Sequence, residues 1–431
     1  MNKGRETKFF QLILKGNKVF PSVVKQSKTN LLMCKIFNME QPPNNPEFIS
    51  NKEKVRQSYI SSVEHIIPFD SEEEKIQEEV IGWLRGTDHV TKKESPDQHL
   101  GVVALVISPT MDKVFLLNHK KAGAYLMPGG HVDLGETLQD AIQKELLEEL
   151  GLTVDMKRSN PFYISKILTQ GKNAGHHDIT TVFRIIVDPS TTFSVEEKEA
   201  DEAGWFDWTE LDSMPAFTQL PRIKQKLSVE KLILLDNGGV LSDHYQQPHH
   251  KDLADILGVD EEKLKALLSE KSPHGEAYRK NLISREEFWS IVVKLSGSVA
   301  DLDYSQLEKL WAESYQVNSH IVDILKRYRN VGVKTGLLSN ADTYRKKHME
   351  ERHASFLDYS IVSSDVGSLK PEKEIFEKAI EKAGIPSKNI IYVDDRESHA
   401  NKATELGMQG EVFSTLEDLK LKLKKFYRDG R

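Results

Sequence analysis

The sequence predicts a multidomain α/β protein, and three observations carry that expectation. At 431 residues the chain is too long for one ordinary hydrophobic core. Two apolar runs, VVALVIS and KVFLLNH, read as strands leading through a glycine turn into an amphipathic helix. Further on, KLILL, VKTGLL and NIIYV each stop at polar residues, and helical stretches separate them. Apolar runs alternating with helices imply parallel strands joined by crossover helices.

Composition narrows the class. The chain is 38% apolar and 29% charged, which suits globular domains, and its formal net charge of -7 argues against non-specific nucleic-acid binding. Cys34 is the single cysteine, so an internal disulfide is excluded and a reducing, cytoplasmic setting is expected. No apolar run approaches the roughly 20 residues a membrane helix needs. Residues 1–52 form a basic extension, with eight Lys/Arg against Glu6 up to Asn38. This extension is expected to be disordered; an organelle-targeting presequence, or upstream sequence omitted by a start at Met39, are the alternatives.

From Asn51 to Gly86 the pattern is helical. SEEEKIQEEVIGWLRG has acids in its first turn, apolar Ile76, Val80, Ile81 and Leu84, and a glycine stop, and is expected to pack on the domain that follows. That domain, residues 53–225, centres on GHVDLGETLQDAIQKELLEELGL from Gly130 to Leu152. Leu138, Ala141, Ile142, Leu146 and Leu150 recur at helical spacing and face a core. Glu145, Glu148 and Glu149 fall at i, i+3 and i+4, so their carboxylates crowd a neighbouring face. Repulsion makes this a poor helix stabiliser, whereas a hard divalent cation wants clustered oxygen ligands. A solvated acidic face is the bland alternative.

The flanking residues favour the cation. Gly130, Glu136, Lys144-Glu145-Leu146, Glu148-Glu149 and Gly151-Leu152 resemble the Nudix box, with Lys144 standing for the family's arginine. The resemblance implies an α/β/α sandwich that hydrolyses a nucleoside diphosphate linked to another group. It also implies Mg2+ (Mn2+ as the alternative) held by Glu145, Glu148, Glu149 and, more weakly, Glu136. One glutamate, here assigned as Glu148, would act in catalysis, and Gly130 would touch substrate. Lysine offers a point charge where arginine's planar fork would orient carboxylates, so slower turnover is expected. TTVFRIIVD reads as a further strand and GWFDWTELDSM as a closing strand, turn and short helix. Glu202 is a candidate further acid or a surface residue, and Tyr125 stacks on a base or merely packs.

His176-His177-Asp178 has three readings: substrate contact, assigned to His177, a metal site, or ordinary loop residues. Neighbours in a strand point to opposite faces. A zinc site wants further His or Cys at ligand spacing, and none stands nearby in the sequence.

PRIKQKLSVE reads as a basic connecting helix, after which residues 226–431 form the second domain. Its apolar runs release Asp236, Ser339-Asn340 and Asp394-Asp395 at their carboxyl ends, the crevice where open α/β sheets bind ligands. LLDNGGVL, LLSN, LKPEKEIF and VDDRESHANKATELGM, in that order, resemble the haloacid dehalogenase superfamily, implying a Rossmann-like domain with a helical cap at about 244–320. By resemblance Asp236 is a nucleophile that forms an aspartyl-phosphate. Asp236, Asp395 and the Gly238 carbonyl would hold Mg2+, with Asp394 supporting. Ser339 and Asn340 would contact the phosphoryl group, and Lys370 would neutralise charge. Gly238 stands where most phosphatases of this family carry an acid–base aspartate, which leaves three readings: a slow phosphatase, another group such as His244 as the acid, or binding of phosphorylated ligands without turnover.

The expected function is a bifunctional hydrolase of small phosphate-containing substrates, with neither nucleic-acid nor membrane partners. The alternative is a nucleotide or phosphometabolite sensor that is catalytically weak at Lys144 and Gly238.

Overall fold

The computed structural model describes residues 46–429 except 88, 121, 158, 170–174, 196–199, 243–248, 300–302, 313–316 and 354. Residues 1–45 of the basic extension and His244 therefore lie outside the described residues.

Two helices lead in, α1 (Pro46–Glu64) and α2 (Ser71–Gly86). The break between them interrupts the single helical stretch expected over residues 51–86. Asp70 caps α2 by accepting from Glu73 N at 2.9 Å, and Glu72, Glu73 and Glu74 complement the positive end of the helix dipole.

The first sheet contains β1 (Gln98–Ile107), β2 (Lys113–His119), β3 (Ala124–Leu126) and β4 (Gly129–His131). The helix α3 (Leu138–Leu150) follows, opened by a capping box of Thr137 and Asp140 and closed by Gly151 at φ 65°. After it come β5 (Tyr163–Leu168), β6 (His177–Ile186) and β7 (Ala200–Asp207), then α4 (Leu220–Leu227). Strands run in the order β3-β2-β1-β6-β5, with β4 added to β1 and β7 to β2. Among the described strand pairs of this sheet, β1 and β6 run parallel, at the centre, and the others are antiparallel. Alternation along β1 sends Leu105 and Ile107 into a cluster with Leu220 and Ile223 of α4, while α3 packs on the same strand's other side. The result is a sheet between helical layers.

The second sheet is wholly parallel, in the order β10 (Tyr359–Val362), β9 (Lys334–Ser339), β8 (Leu232–Leu235), β11 (Ile390–Asp394), β12 (Gln409–Val412). Between β8 (Leu232–Leu235) and the next strand lie α5 (His249–Leu257), α6 (Glu261–Leu268), α7 (Pro273–Arg279), α8 (Arg285–Ser296) and α9 (Tyr304–Ala312). These have their own core, including Leu253, Leu264, Phe288, Trp289 and Trp311. Then follow α10 (Ser319–Asn330), β9 (Lys334–Ser339), α11 (Thr343–His353), β10 (Tyr359–Val362), α12 (Ser363–Val366) and α13 (Lys373–Ala383). The chain ends with β11 (Ile390–Asp394), α14 (Glu397–Glu405), β12 (Gln409–Val412) and α15 (Leu416–Arg428). Strand β8 is buried throughout, as a strand covered on both faces must be.

The two sheets share one core. Leu105 and Ile107 of β1 belong to the same buried cluster as Ile233 and Leu235 of β8 and Tyr427 of α15. Polar staples reinforce it. Lys226 of α4 and Glu73 of α2 are both buried and meet at 2.7 Å, and Arg184 of β6 donates to Arg329 O of α10 at 2.9 Å. Helix α2 thus packs on the first domain, as expected, but Glu74 also pairs with Lys424 and Arg428 of α15. No described helix is long and apolar enough to cross a membrane.

Candidate active sites

The carboxyl ends of β8, β9 and β11 open into a cavity of about 400 Å³. Asp236 follows β8 directly, Ser339 ends β9 and Asp394 ends β11, so parallel pairing alone brings all three to one edge. Lys370 Nζ bridges them, 2.7 Å from Asp236 Oδ1 and 2.8 Å from Asp394 Oδ2. The same ammonium donates to Leu338 O at 2.9 Å and to Tyr392 Oη at 2.9 Å. Lys370 is only 4% exposed, and burial alone would lower its pKa, but Asp236 and Asp394 hold it above the ordinary value.

The two carboxylates differ. Asp394 accepts from Lys370, Tyr392 Oη, His399 Nδ1 at 3.0 Å and Arg396 N at 2.9 Å. Burial opposes its charge, but Lys370 and His399 outweigh that and hold its pKa far below the carboxylate range. Asp236 is pushed up to about 6, chiefly by burial, with Asp394 and Asp395 adding repulsion and Lys370 opposing. Oxygens of Asp236, Asp394 and Asp395 lie within 4.8 Å of one another, a donor set that fits a hard divalent cation.

Ser339 and Gly238 line this cavity. Asn340 lines it too, but its amide is engaged: Nδ2 donates to Glu270 and to Lys370 O, while Oδ1 accepts from Lys370 N at 2.8 Å. Glu270, just past α6, also pairs with Arg396, so the inserted helical segment meets the sheet end at the cavity. The sequence did not single out Tyr392, His399, Arg396, Glu270 or the cavity-lining His250. A signal existed for Tyr392 alone, since it stands two residues before Asp394 and so faces the same way.

The first domain's carboxylates are arranged more loosely. Glu149 is buried, and its Oε2 accepts from Gly129 N at 2.9 Å. Gly129 sits at φ 158° with β1 so close that a Cβ would lie 2.2 Å from Val102 O. A Cβ on Gly130 would lie 2.6 Å from Glu145 Oε1, so that carboxylate rests directly on the glycine. The cradle fits a metal-binding carboxylate that needs a fixed position. Glu148, by contrast, is exposed on α3. Glu145, Glu148 and Glu149 are not among the groups whose ligand atoms converge within 4.8 Å in the described residues.

Lys144 takes an unexpected place. Its ammonium lies 2.9 Å from Asp133, 3.1 Å from Glu136 and 3.7 Å from Glu145. Burial alone would lower its pKa, but Asp133 and Glu136 raise it. Glu136 is thus tied to Lys144 and to the loop, accepting from Asp133 N. Tyr125 donates to Glu202 at 2.8 Å beside the exposed edge of β7. His177 opens β6, and its side chain alternates away from those of His176 and Asp178.

Two family models match the chain. Residues 97–227 match the NUDIX domain family and residues 230–400 match the haloacid dehalogenase-like hydrolase family. An uncharacterized Nudix hydrolase of Bacillus subtilis, YvcI, is 28% identical over 119 residues, covering 27% of this chain and 72% of the relative. The ADP-ribose pyrophosphatase of Methanocaldococcus jannaschii is 29% identical over 107 residues, covering 24% of this chain and 58% of the relative. A HAD family enzyme of Bacteroides thetaiotaomicron, solved with magnesium and inorganic phosphate, is 22% identical at a TM-score of 0.38, covering 44% of this chain and 98% of that one. The chain is a hydrolase in which a NUDIX domain precedes a haloacid dehalogenase-like hydrolase domain.

Proposed function

We propose that the chain is a bifunctional, Mg2+-dependent phosphohydrolase. The NUDIX domain would cleave the phosphoanhydride of a nucleoside diphosphate linked to another group. The second domain, residues 226–431 with its cap at about 244–320, would hydrolyse a phosphomonoester through an aspartyl-phosphate. The observation that carries this reading is the buried bridge of Lys370 between Asp236 and Asp394 at the floor of the cavity. The walls add Lys265, Arg279, Arg345 and Arg396, a lining suited to a dianionic phosphate.

In the second domain, Asp236 and Asp395, with the Gly238 carbonyl, are the proposed metal ligands, and Asp394 supports them while anchoring Lys370. A bound divalent cation supplies charge neutralisation at phosphorus and favours the ionised form of Asp236. The Asp236 carboxylate attacks phosphorus, the ester oxygen leaves, and water then attacks the aspartyl-phosphate, releasing phosphate and restoring the carboxylate. Ser339 donates to the phosphoryl oxygens, and Lys370 neutralises their growing charge. Gly238 has no carboxyl to protonate the leaving oxygen, so that proton would come from water or from another group, for which the sequence offers His244. Turnover is expected to be about 100- to 10,000-fold below that of an enzyme with a placed acid.

In the NUDIX domain, Glu145, Glu148, Glu149 and, more weakly, Glu136 are the proposed ligands, with Glu148 acting in catalysis and Gly130 next to substrate. The exposure of Glu148 leaves its carboxylate open to water and substrate. The relative named ADP-ribose pyrophosphatase supports the nucleoside diphosphate class.

The test is Mg2+-dependent phosphate release from nucleoside diphosphate derivatives and from small phosphomonoesters. Asp236→Asn should lower monoesterase turnover by at least about 1,000-fold and spare diphosphate cleavage, while Glu148→Gln should do the reverse. Joint loss in either variant would argue against independent sites. Nucleotide binding without turnover would favour a sensor, the reading that Lys144 and Gly238 feed.

A further inference from the structure

The first sheet carries a second cluster that neither proposed reaction uses. His176 immediately precedes β6 and Asp178 is its second residue, so the two stand two residues apart on one face. Strand β1 runs parallel beside them and sets His99 directly opposite Asp178. Strand β4 sets His131 opposite Gly101, two residues beyond His99 on β1, so His131 joins that same face. Gly130, whose missing Cβ would point at Glu145, faces the other way. The histidines and the α3 glutamates are therefore on opposite faces of the sheet.

Three imidazoles converge on one carboxylate oxygen. Asp178 Oδ1 lies 2.9 Å from His99 Nε2, 3.3 Å from His176 Nε2 and 3.8 Å from His131 Nε2. His99 is fully buried, yet neither its Nε2 nor Asp178 Oδ1 has a hydrogen-bond partner, so at 2.9 Å the two atoms are not aligned as donor and acceptor. Ligand atoms of a tetrahedral zinc site, with bonds of about 2.0–2.1 Å, sit about 3.3 Å apart. The three distances to Asp178 Oδ1 bracket that value, and one ligand atom each of His99, His176 and Asp178 lies within 4.8 Å of the others, with His131 further out. The other ring nitrogens already have contacts: His99 Nδ1 with Ser95 O at 3.2 Å and His176 Nδ1 with Thr169 Oγ1 at 3.0 Å. Metal-bound histidines are oriented in this way by outer partners.

We propose that His99, His176 and Asp178, completed by His131, form a binding site for a divalent transition-metal ion, with Zn2+ fitting the donor set best. Imidazole nitrogens select a borderline ion over Mg2+, which prefers oxygen. Four protein ligands make the site structural in type. It pins β4 to β1 and β6, and β4 carries the glycines on which Glu145 and Glu149 rest.

Metal analysis of the full-length chain, after dialysis in excess Mg2+, tests this. Wild type and His177→Gln should retain about one Zn2+ per chain, and the double variant His176→Gln/Asp178→Asn should lose it together with any Zn2+-dependent rise in Tm. Co2+-loaded wild type should show the intense visible absorption of a tetrahedral ion. Equal zinc content in wild type and double variant, or a weak octahedral Co2+ spectrum, would overturn the proposal. Should the double variant not fold, the wild-type Co2+ spectrum decides.

Discussion

The two candidate active sites handle clustered negative charge in opposite ways. In the second domain the aspartates lie at the ends of buried parallel strands, and a buried lysine sits among them. In the first domain the glutamates stand on one helix, where Glu149 is buried on Gly129, Glu145 rests on Gly130 and Glu148 is exposed. Lys144 lies to one side, bound to Asp133 and Glu136. Strand ends force convergence because the sheet fixes all three backbones. Helical spacing only sets neighbours on a face and leaves long side chains free to diverge.

The contrast can be broken most severely at Lys370. Lys370→Met leaves Asp236 and Asp394 buried without their shared cation. It should cost about 3–5 kcal/mol of stability, read by urea unfolding, and most monoesterase activity. A variant as stable as wild type would mean that the bridge matters less than its geometry implies. In the first domain the corresponding change is smaller. Gly130→Ala places a methyl where Glu145 now lies and should lower diphosphate cleavage about 100-fold through misplacement alone, with phosphomonoester turnover unchanged. Unaltered kinetics would show that Glu145 does not need its position.

The smallest effect on turnover concerns a buried acid that interacts with Arg345 of the cavity wall without lining the cavity itself. Glu308 of α9 accepts from Trp289, and burial, with repulsion from Asp342, pushes its pKa up to about 7. The folded protein then keeps a proton that the unfolded chain releases from the ordinary value of 4.5 upward, so stability falls as pH rises between about 4.5 and 7. Glu308→Gln should remove that slope and stabilise the protein at pH 8 by roughly 1–3 kcal/mol, measured by unfolding at several pH values. This separates an acid raised by burial in the cap from Asp236, raised by burial at the site.

Much of this was legible along the chain because strand ends are local features. Asp236, Ser339 and Asp394 each follow an apolar run, so parallel pairing was enough to bring them together. The partners that tune them were not legible: His399 lies on the next helix, and Glu270 reaches in from the cap. The histidine cluster was hidden for the same reason. His176-His177-Asp178 lacked further ligands in the sequence nearby, and the lateral register of β1 and β4 supplied His99 and His131. The expectation that no further partner stands nearby holds along the chain and is corrected only in space.

The sequence by itself determined the two α/β layers, the order of the motifs and the residue types at each strand end, because periodicity and turn chemistry are local. Only the tertiary structure decided which carboxylate is buried, where Lys144 and Asn340 spend their hydrogen bonds, and which histidines meet. Those outcomes depend on side chains from distant segments competing for the same small space, and spacing along the chain does not record that competition.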